Sequence, residues 1–342
     1  MNTKKYLVTG GAGFIGSALV QTLVQQGHRV TVLDNGSRGN ARRLDEVANE
    51  IEFVEADIRD PQAVIDAAKG IDALCHLAYI NGTEFFYTHP DQVLDVAVRG
   101  MINVLDACRQ HHVPELYLAS SSEVYQTPPT IPTGETVPLV VPDVHNPRYS
   151  YGGGKIISEL LAIHLGAATI DRVVIFRPHN VYGPDMGSEH VIPQFLMRMK
   201  KLCETTQNPI PFEIQGTGNE TRSFVYIDDF VQGLCRVIEK GEHLGIYHIG
   251  TIDEIKIADL AHEVARIYGR KIELTCSTTT EGSTLRRCPD ISKVSALGYQ
   301  PQIPIRKGLQ ITAQWYDQQD DRSLNKGHKT EEPMEAQPCR QA

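Results

Sequence analysis

Tyr151 and Lys155 stand four residues apart in Tyr149-Ser150-Tyr151-Gly152-Gly153-Gly154-Lys155. On a helix that spacing puts phenol and ammonium on one face, where the lysine charge favours the phenolate and the phenol exchanges a proton with a substrate alcohol. Tyr149 has no lysine at that distance. Upstream, an apolar run ends in Ala119-Ser120-Ser121-Ser122-Glu123-Val124-Tyr125. Ser121 is placed to hydrogen-bond the same substrate oxygen. Glu123, in the same run, has as its plain reading a solvated carboxylate at a strand end.

Nearer the N-terminus, Gly10-Gly11-Ala12-Gly13-Phe14-Ile15-Gly16 follows a short apolar run and opens an amphipathic segment. Glycines at 10, 13 and 16 suit a sharp turn, a close approach to a pyrophosphate and a helix packed on a strand; the helix N-terminus then offers free N–H groups to phosphate. Asp34-Asn35 closes the second apolar run, where a carboxylate accepts from the adenosine ribose hydroxyls and repels a 2'-phosphate. That pattern selects NAD over NADP, with Arg38 nearby as the residue through which a phosphate could be tolerated. Asp57-Ile58 follows the third run; Asp57 either accepts from the adenine amine or caps a helix before Pro61. In His76-Leu77-Ala78 the backbone of Leu77 and Ala78 passes beside the cofactor, and His76 reads as structural.

The elements that position these groups alternate in type. Short β-prone runs occur at Tyr6–Val8, Val30–Leu33, Ile51–Val54, Ala73–Leu77, Leu116–Ala119 and Val173–Phe176, and Ile15–Gln26 and Val93–Gln110 carry apolar residues at helical spacing. Such alternation predicts βαβ units on a parallel sheet with helices on both faces. From Pro178 the pattern breaks into shorter pieces, with helices expected at Val191–Cys203, Asp229–Glu239 and Ile257–Tyr268. The polar stretch from Gln318 onward is expected to stay unfolded.

The 342 residues carry 33 Lys+Arg against 42 Asp+Glu, a formal charge of -9, without a basic run. Nucleic acid and anionic lipid are therefore poor partners, and a small molecule is the expected one. Seven cysteines without a C-x-x-C motif indicate neither a disulfide framework nor a metal site. No signal peptide or spanning segment is evident, so a cytoplasmic protein is expected.

Together, Gly10 to Gly16, Asp34, Asp57-Ile58, His76-Leu77-Ala78, Ser121, Tyr151/Lys155, Arg177-Pro178 with Asn180-Val181-Tyr182-Gly183-Pro184, and Arg222 to Asp229 resemble the extended short-chain dehydrogenase/reductases that act on nucleotide sugars. The resemblance spans roughly residues 4 to 316 and implies an α/β fold: a Rossmann-type doubly wound sheet with a smaller C-terminal substrate lobe. Residues 1–178, with a returning segment around 224–250, would form the NAD-binding domain. Residues 179–316 would form most of the substrate lobe, and 318–342 a tail. The resemblance further implies Ser121, Tyr151 and Lys155 as the catalytic triad, and Ser122, Asn180, Val191 and Arg222 as substrate contacts. Two features depart from the family pattern: the three glycines before Lys155, each unfavourable in a helix, and Gln126 where a glycine usually follows Val-Tyr.

Oxidising a sugar C4 hydroxyl gives a 4-keto sugar, and three reactions lead on from it. Ser121-Ser122-Glu123 resembles the Thr-Ser-Glu of 4,6-dehydratases and uronate decarboxylases, which makes an NDP-hexose 4,6-dehydratase the first expectation, with Glu123 as the base. Arg287 in Arg286-Arg287-Cys288-Pro289-Asp290-Ile291 could instead grip a diphosphate or a uronate carboxylate, keeping epimerase and decarboxylase open. A non-catalytic NAD-binding sensor is the remote alternative. The apolar breadth of Val93–Gln110 predicts a homodimer in which it and Lys155–Leu165 pair with their copies in a four-helix contact.

Overall fold

The computed structural model describes residues 3–204, 208–277 and 284–319. Among these, seven parallel strands form the central sheet: β1 (Lys5–Thr9), β2 (Arg29–Asp34), β3 (Ile51–Glu55), β4 (Ala73–His76), β5 (Glu115–Ala119), β6 (Arg172–Pro178) and β7 (Ile246–Ile249). Their spatial order is β7-β6-β5-β4-β1-β2-β3. The register places Tyr6 between Val30 and Ala73, and Ala119 opposite Phe176.

Strand side chains alternate between faces, so each central strand feeds two cores. Val8, Val32, Tyr117 and Phe176 join a core that includes residues of α1 (Phe14–Gln25). Leu7, Leu74, Leu116 and Ile175 face the other way. They pack with α2 (Pro61–Ala67), α3 (Met101–His111) and α4 (Ser150–His164). This double burial is why the strands read as nearly continuous apolar runs.

The expected single helix over Val93–Gln110 is broken into Pro90–Asp95, a π-turn over Val96–Gly100, and α3. The wider turn shifts the helix phase and brings Gly100 against Ile58, where a Cβ would lie 2.9 Å from the isoleucine.

Beyond β6 the chain forms α5 (Val191–Leu202), α6 (Ile227–Lys240), α7 (Ile257–Ile267) and α8 (Ile305–Gln318). A two-stranded parallel pair, Ile210–Gln215 with Ile272–Ser277, lies in this part. In a small sheet, Thr221–Ser223 runs between Glu254–Lys256 and Arg286–Arg287 and sets Arg222 beside Arg287. Gln318, expected to open the tail, is the last residue of α8; positions 320–342 lie outside the described residues. Among the described residues no helix is long and apolar enough to cross a membrane, and no cluster of His, Cys, Asp or Glu could hold a metal ion.

Candidate active site

Strand order reverses between β1 and β4, and in open α/β sheets ligands bind outside the carboxyl ends of the strands at such a reversal. A cavity of about 750 Å³ lies there. Gly10 turns the chain at φ +71°, in the left-handed region, and a Cβ on it would come within 2.6 Å of the Ala78 nitrogen. A Cβ on Gly16 would overlap the Gly10 carbonyl oxygen, so α1 begins in contact with the strand end. No side chain caps α1, and Gly13, Phe14 and Ile15 line the cavity. The first-turn N–H groups are therefore available to phosphate oxygens, and the cradle fits a dinucleotide.

Asp34 accepts from the backbone N–H groups of Ala12 (3.0 Å) and Gly36 (2.9 Å). Burial raises its carboxyl above the usual value against these two bonds and the charge of Arg43. Arg38 pairs with Glu189 (3.1 Å) and lies 5.3 Å over the Phe85 ring. Asp57 is tied to Arg59 (2.8 Å) and Asn35 (3.0 Å). Its alternative reading as the helix cap is corrected: Asp60 caps α2, accepting from Gln62 and Ala63. The Ile58 carbonyl accepts from Asn103. His76 is buried, bonded through Nδ1 to Thr9 (2.8 Å), and held neutral with a pKa of about 3 by burial and by Lys155.

The reactive groups converge on the cavity. Leu77, Ser121, Ser122, Glu123, Tyr151, Lys155, Asn180 and Arg287 line it. Asp34, Asn35, Asp57, Ile58, Ala78, Val191 and Arg222 lie outside its lining. Ser121 begins a short 3-10 turn by accepting from the Glu123 N–H (3.2 Å). Burial pushes the Tyr151 phenol up to about 12, opposed by its hydrogen bond with Ser121 and by Arg287. Tyr151 and Lys155 both line the cavity from α4. The Lys155 ammonium donates to the Ala119 carbonyl (2.7 Å), and burial lowers its pKa to about 7.

Glu123 is ion-paired with Arg287 at 2.5 Å. Burial raises its carboxyl, but Arg287, Arg148 and Arg222 together overcome that and hold it below the ordinary value. Burial and the neighbouring Arg287 lower the Arg222 pKa to about 10. Of these three arginines, Arg287 lines the reactive end of the cavity, and Arg148 and Arg222 lie outside its lining.

Behind it, Glu159 on α4 receives Arg177 of β6 in a buried two-pronged ion pair (2.8 and 2.6 Å) and also accepts from Ser120. Arg177 also donates to Tyr125, whose hydroxyl meets His248 (2.6 Å).

Sequence reasoning missed Arg148, Glu159, Tyr79 and Phe86. Arg148 stands three residues before Tyr151, close to one helical turn, a spacing that could have flagged it. Phe86 stacks on Tyr151 at 4.8 Å and gives that part of the cavity an apolar wall.

A family model described as the NAD dependent epimerase/dehydratase family matches residues 6–250. The chain belongs to that family. A putative UDP-glucose 4-epimerase of Methanocaldococcus jannaschii is 32% identical over 317 residues, covering 90% of this chain and 97% of the relative. UDP-glucuronic acid decarboxylase 1 of Arabidopsis thaliana is 31% identical, over 89% of this chain and 68% of its own. The crystal structure of a dTDP-glucose 4,6-dehydratase from Streptomyces venezuelae, with NAD bound, superposes with a TM-score of 0.80 at 29% identity, covering 92% of this chain and 97% of that one. This family member is accordingly an NAD-dependent enzyme of the nucleotide-sugar epimerase, dehydratase and decarboxylase group, with a Rossmann-like central sheet. The relatives' names divide among epimerase, reductase, decarboxylase and dehydratase at nearly equal identity.

Proposed function

We propose that the enzyme decarboxylates a nucleoside diphosphate uronate through a 4-keto intermediate. One observation carries this reading: Arg287, in the cavity lining, is ion-paired with Glu123 at 2.5 Å, and Arg148 and Arg222, outside the lining, add positive charge that acts on the same carboxylate. With Arg222 assigned to the diphosphate, Arg148 and Arg287 still outweigh the charge of Glu123. A sugar bringing a carboxylate at C6 matches that excess, and paired guanidinium groups recognise carboxylates well.

The glycine turn from Gly10 to Gly16 would hold NAD, which would supply an acceptor for the C4 hydride and the same hydride for the closing reduction. Tyr151, assisted by Ser121, removes the C4 hydroxyl proton and gives it back in the final reduction. Once C4 is a ketone, the C6 carboxylate is β to it. The C5–C6 bond then breaks, carbon dioxide leaves, and the electron pair passes through C5–C4 to O4, where Tyr151 and Ser121 donate. A proton delivered to C5 completes the 4-keto pentose. Lys155 adds positive charge to the same end of the cavity.

The 4,6-dehydratase expectation rests on Glu123 as base. Contact with Arg287 weakens it in that role, and Ser122 beside it supplies no acid to expel a C6 hydroxide. Incubation with a panel of nucleoside diphosphate hexoses and hexuronates, with products read by mass spectrometry, tests the proposal. Carbon dioxide and a pentose from a uronate are expected. A 4-keto-6-deoxy sugar from a hexose restores the dehydratase reading, and an epimer of unchanged mass establishes an epimerase.

A homodimer belongs to the same proposal. Most of the apolar residues of 93–110 are buried within the chain, yet Leu94 and Ile102, with Ile157 and Leu160 on α4 and Leu165 directly after it, remain exposed. Light scattering at micromolar concentration that finds only a monomer overturns it. Cytoplasmic residence is proposed alongside.

A further inference from the structure

Tyr79, directly after the His76-Leu77-Ala78 segment, lines the cavity and touches both catalytic residues of α4. Its hydroxyl donates to the Tyr151 carbonyl (3.3 Å), and its ring meets the Tyr151 ring edge-on at 5.2 Å. The ring face lies 3.7 Å from the Lys155 ammonium. On its other side the ammonium donates to the Ala119 carbonyl (2.7 Å). Lys155 is thus held between an aromatic face and a strand-end carbonyl.

The glycines before Lys155 fall into place around this contact. A Cβ on Gly154 would overlap the Tyr79 hydroxyl and come within 2.8 Å of the Ala97 Cβ. A Cβ on Gly152 would lie 2.7 Å from the Gln126 amide, whereas one on Gly153 would meet only Val141, at 3.6 Å. Gly152 therefore answers to Gln126, itself the second departure from the family pattern, and Gly154 answers to Tyr79.

We propose that Tyr79 is a positioning residue for Lys155, its ring clamping the ammonium against the Ala119 carbonyl, and that position 154 is glycine to admit it. The other groups that bear on the ammonium leave it little else. His76, from the end of β4, is neutral. Glu159, one turn along α4, attracts it, but the Glu159 oxygens are already bonded to Ser120 and Arg177. Tyr151 and Ser121 are uncharged. Against burial that favours the neutral amine, the aromatic face favours the ammonium, because a desolvated cation over a ring is stabilised by the ring quadrupole.

The proposal rests on the Tyr151/Lys155 assignment and not on the identity of the sugar, so the primary test needs no turnover. Lysine labelled with carbon-13 at Cε reports the Lys155 titration in the NAD-loaded enzyme, the resonance being assigned with Lys155→Met. Tyr79→Leu should lower the Lys155 pKa by about one unit, while Tyr79→Phe keeps the wild-type value. Fluorinating the ring of Tyr79→Phe throughout keeps its shape and removes its negative face, and should reproduce the leucine result; this comparison serves even where Tyr79→Leu fails to fold. In turnover, the alkaline limb of the kcat profile should move toward acid by the same amount. An unchanged titration in the leucine and fluorinated variants overturns the proposal, as does a rise, which is what simple admission of water would produce. Absence of turnover in the wild type would count against the proposed reaction and leave this titration intact.

Discussion

Replacing Arg177 by methionine should separate the framework of the site from its chemistry. Arg177 and Glu159 are 2% and 3% exposed at their side chains, and the guanidinium makes two parallel bonds to the carboxylate. Removing one partner of a buried pair strands the other, which costs about 3–5 kcal/mol. The loss also frees Tyr125, at the end of the Ser121 turn, so order around the triad should decline with stability. Arg177→Met combined with Glu159→Gln removes both charges and leaves no stranded ion. Its cost should fall to about 1–2 kcal/mol. The single tryptophan, Trp315, gives a fluorescence signal for urea unfolding, and a double-mutant cycle extracts the coupling. If Arg177→Met lies within about 1 kcal/mol of wild type, or the double variant is the less stable, the buried-pair reasoning is wrong.

Gly153→Ala should stabilise the enzyme by about 0.5–1 kcal/mol, because a helix interior prefers alanine and the site is open, whereas Gly152→Ala and Gly154→Ala should destabilise it; thermal unfolding ranks the three. Tyr151→Phe should lower turnover about 100- to 10,000-fold with substrate binding largely kept, and near-full turnover would redirect attention to Tyr149. Burial holds His76 near pKa 3 and His248 near 4, against 6.5 for the free side chain. The unfolded chain therefore binds more protons just below pH 6.5. Their stabilising effect is complete above that value and declines through pH 5, by up to about 1.4 kcal/mol per pH unit for each; urea midpoints from pH 7 to 5 should follow that sign.

The glycine turn, Asp34 and the Tyr151/Lys155 pair were legible in the sequence because their chemistry fixes spacing along one strand end or one helix face. Fully buried parallel strands likewise announce themselves as apolar runs. Other features depend on contacts between segments far apart in the chain. The match of Tyr79 to Gly154 and of Gln126 to Gly152 shows only when β4, the Ser121 turn and α4 are brought together, so the sequence alone shows the helix cost of the glycines and suggests a close approach without naming what approaches. Arg287 meets Glu123 from a distant segment and Arg148 adds its charge, and no local pattern shows that the carboxylate is neutralised. The π-turn at Val96–Gly100 was hidden because apolar periodicity continues through it, with the close approach to Ile58 visible only in three dimensions. Asp57 was a plausible cap by residue type, but Asp60 stands directly before Pro61, at the N-cap position.

In the proposed reaction Tyr151 and Ser121 support oxidation at C4 while Arg287, beside Glu123, receives a C6 carboxylate. Following the enzyme with a nucleoside diphosphate glucuronate in deuterated water by NMR tests it most directly. The account predicts release of carbon dioxide and a nucleoside diphosphate pentose bearing one deuterium at C5, with no net consumption of NAD. Recovery of a hexuronate without deuterium, or inertness toward the uronate with conversion of a neutral hexose, would contradict it.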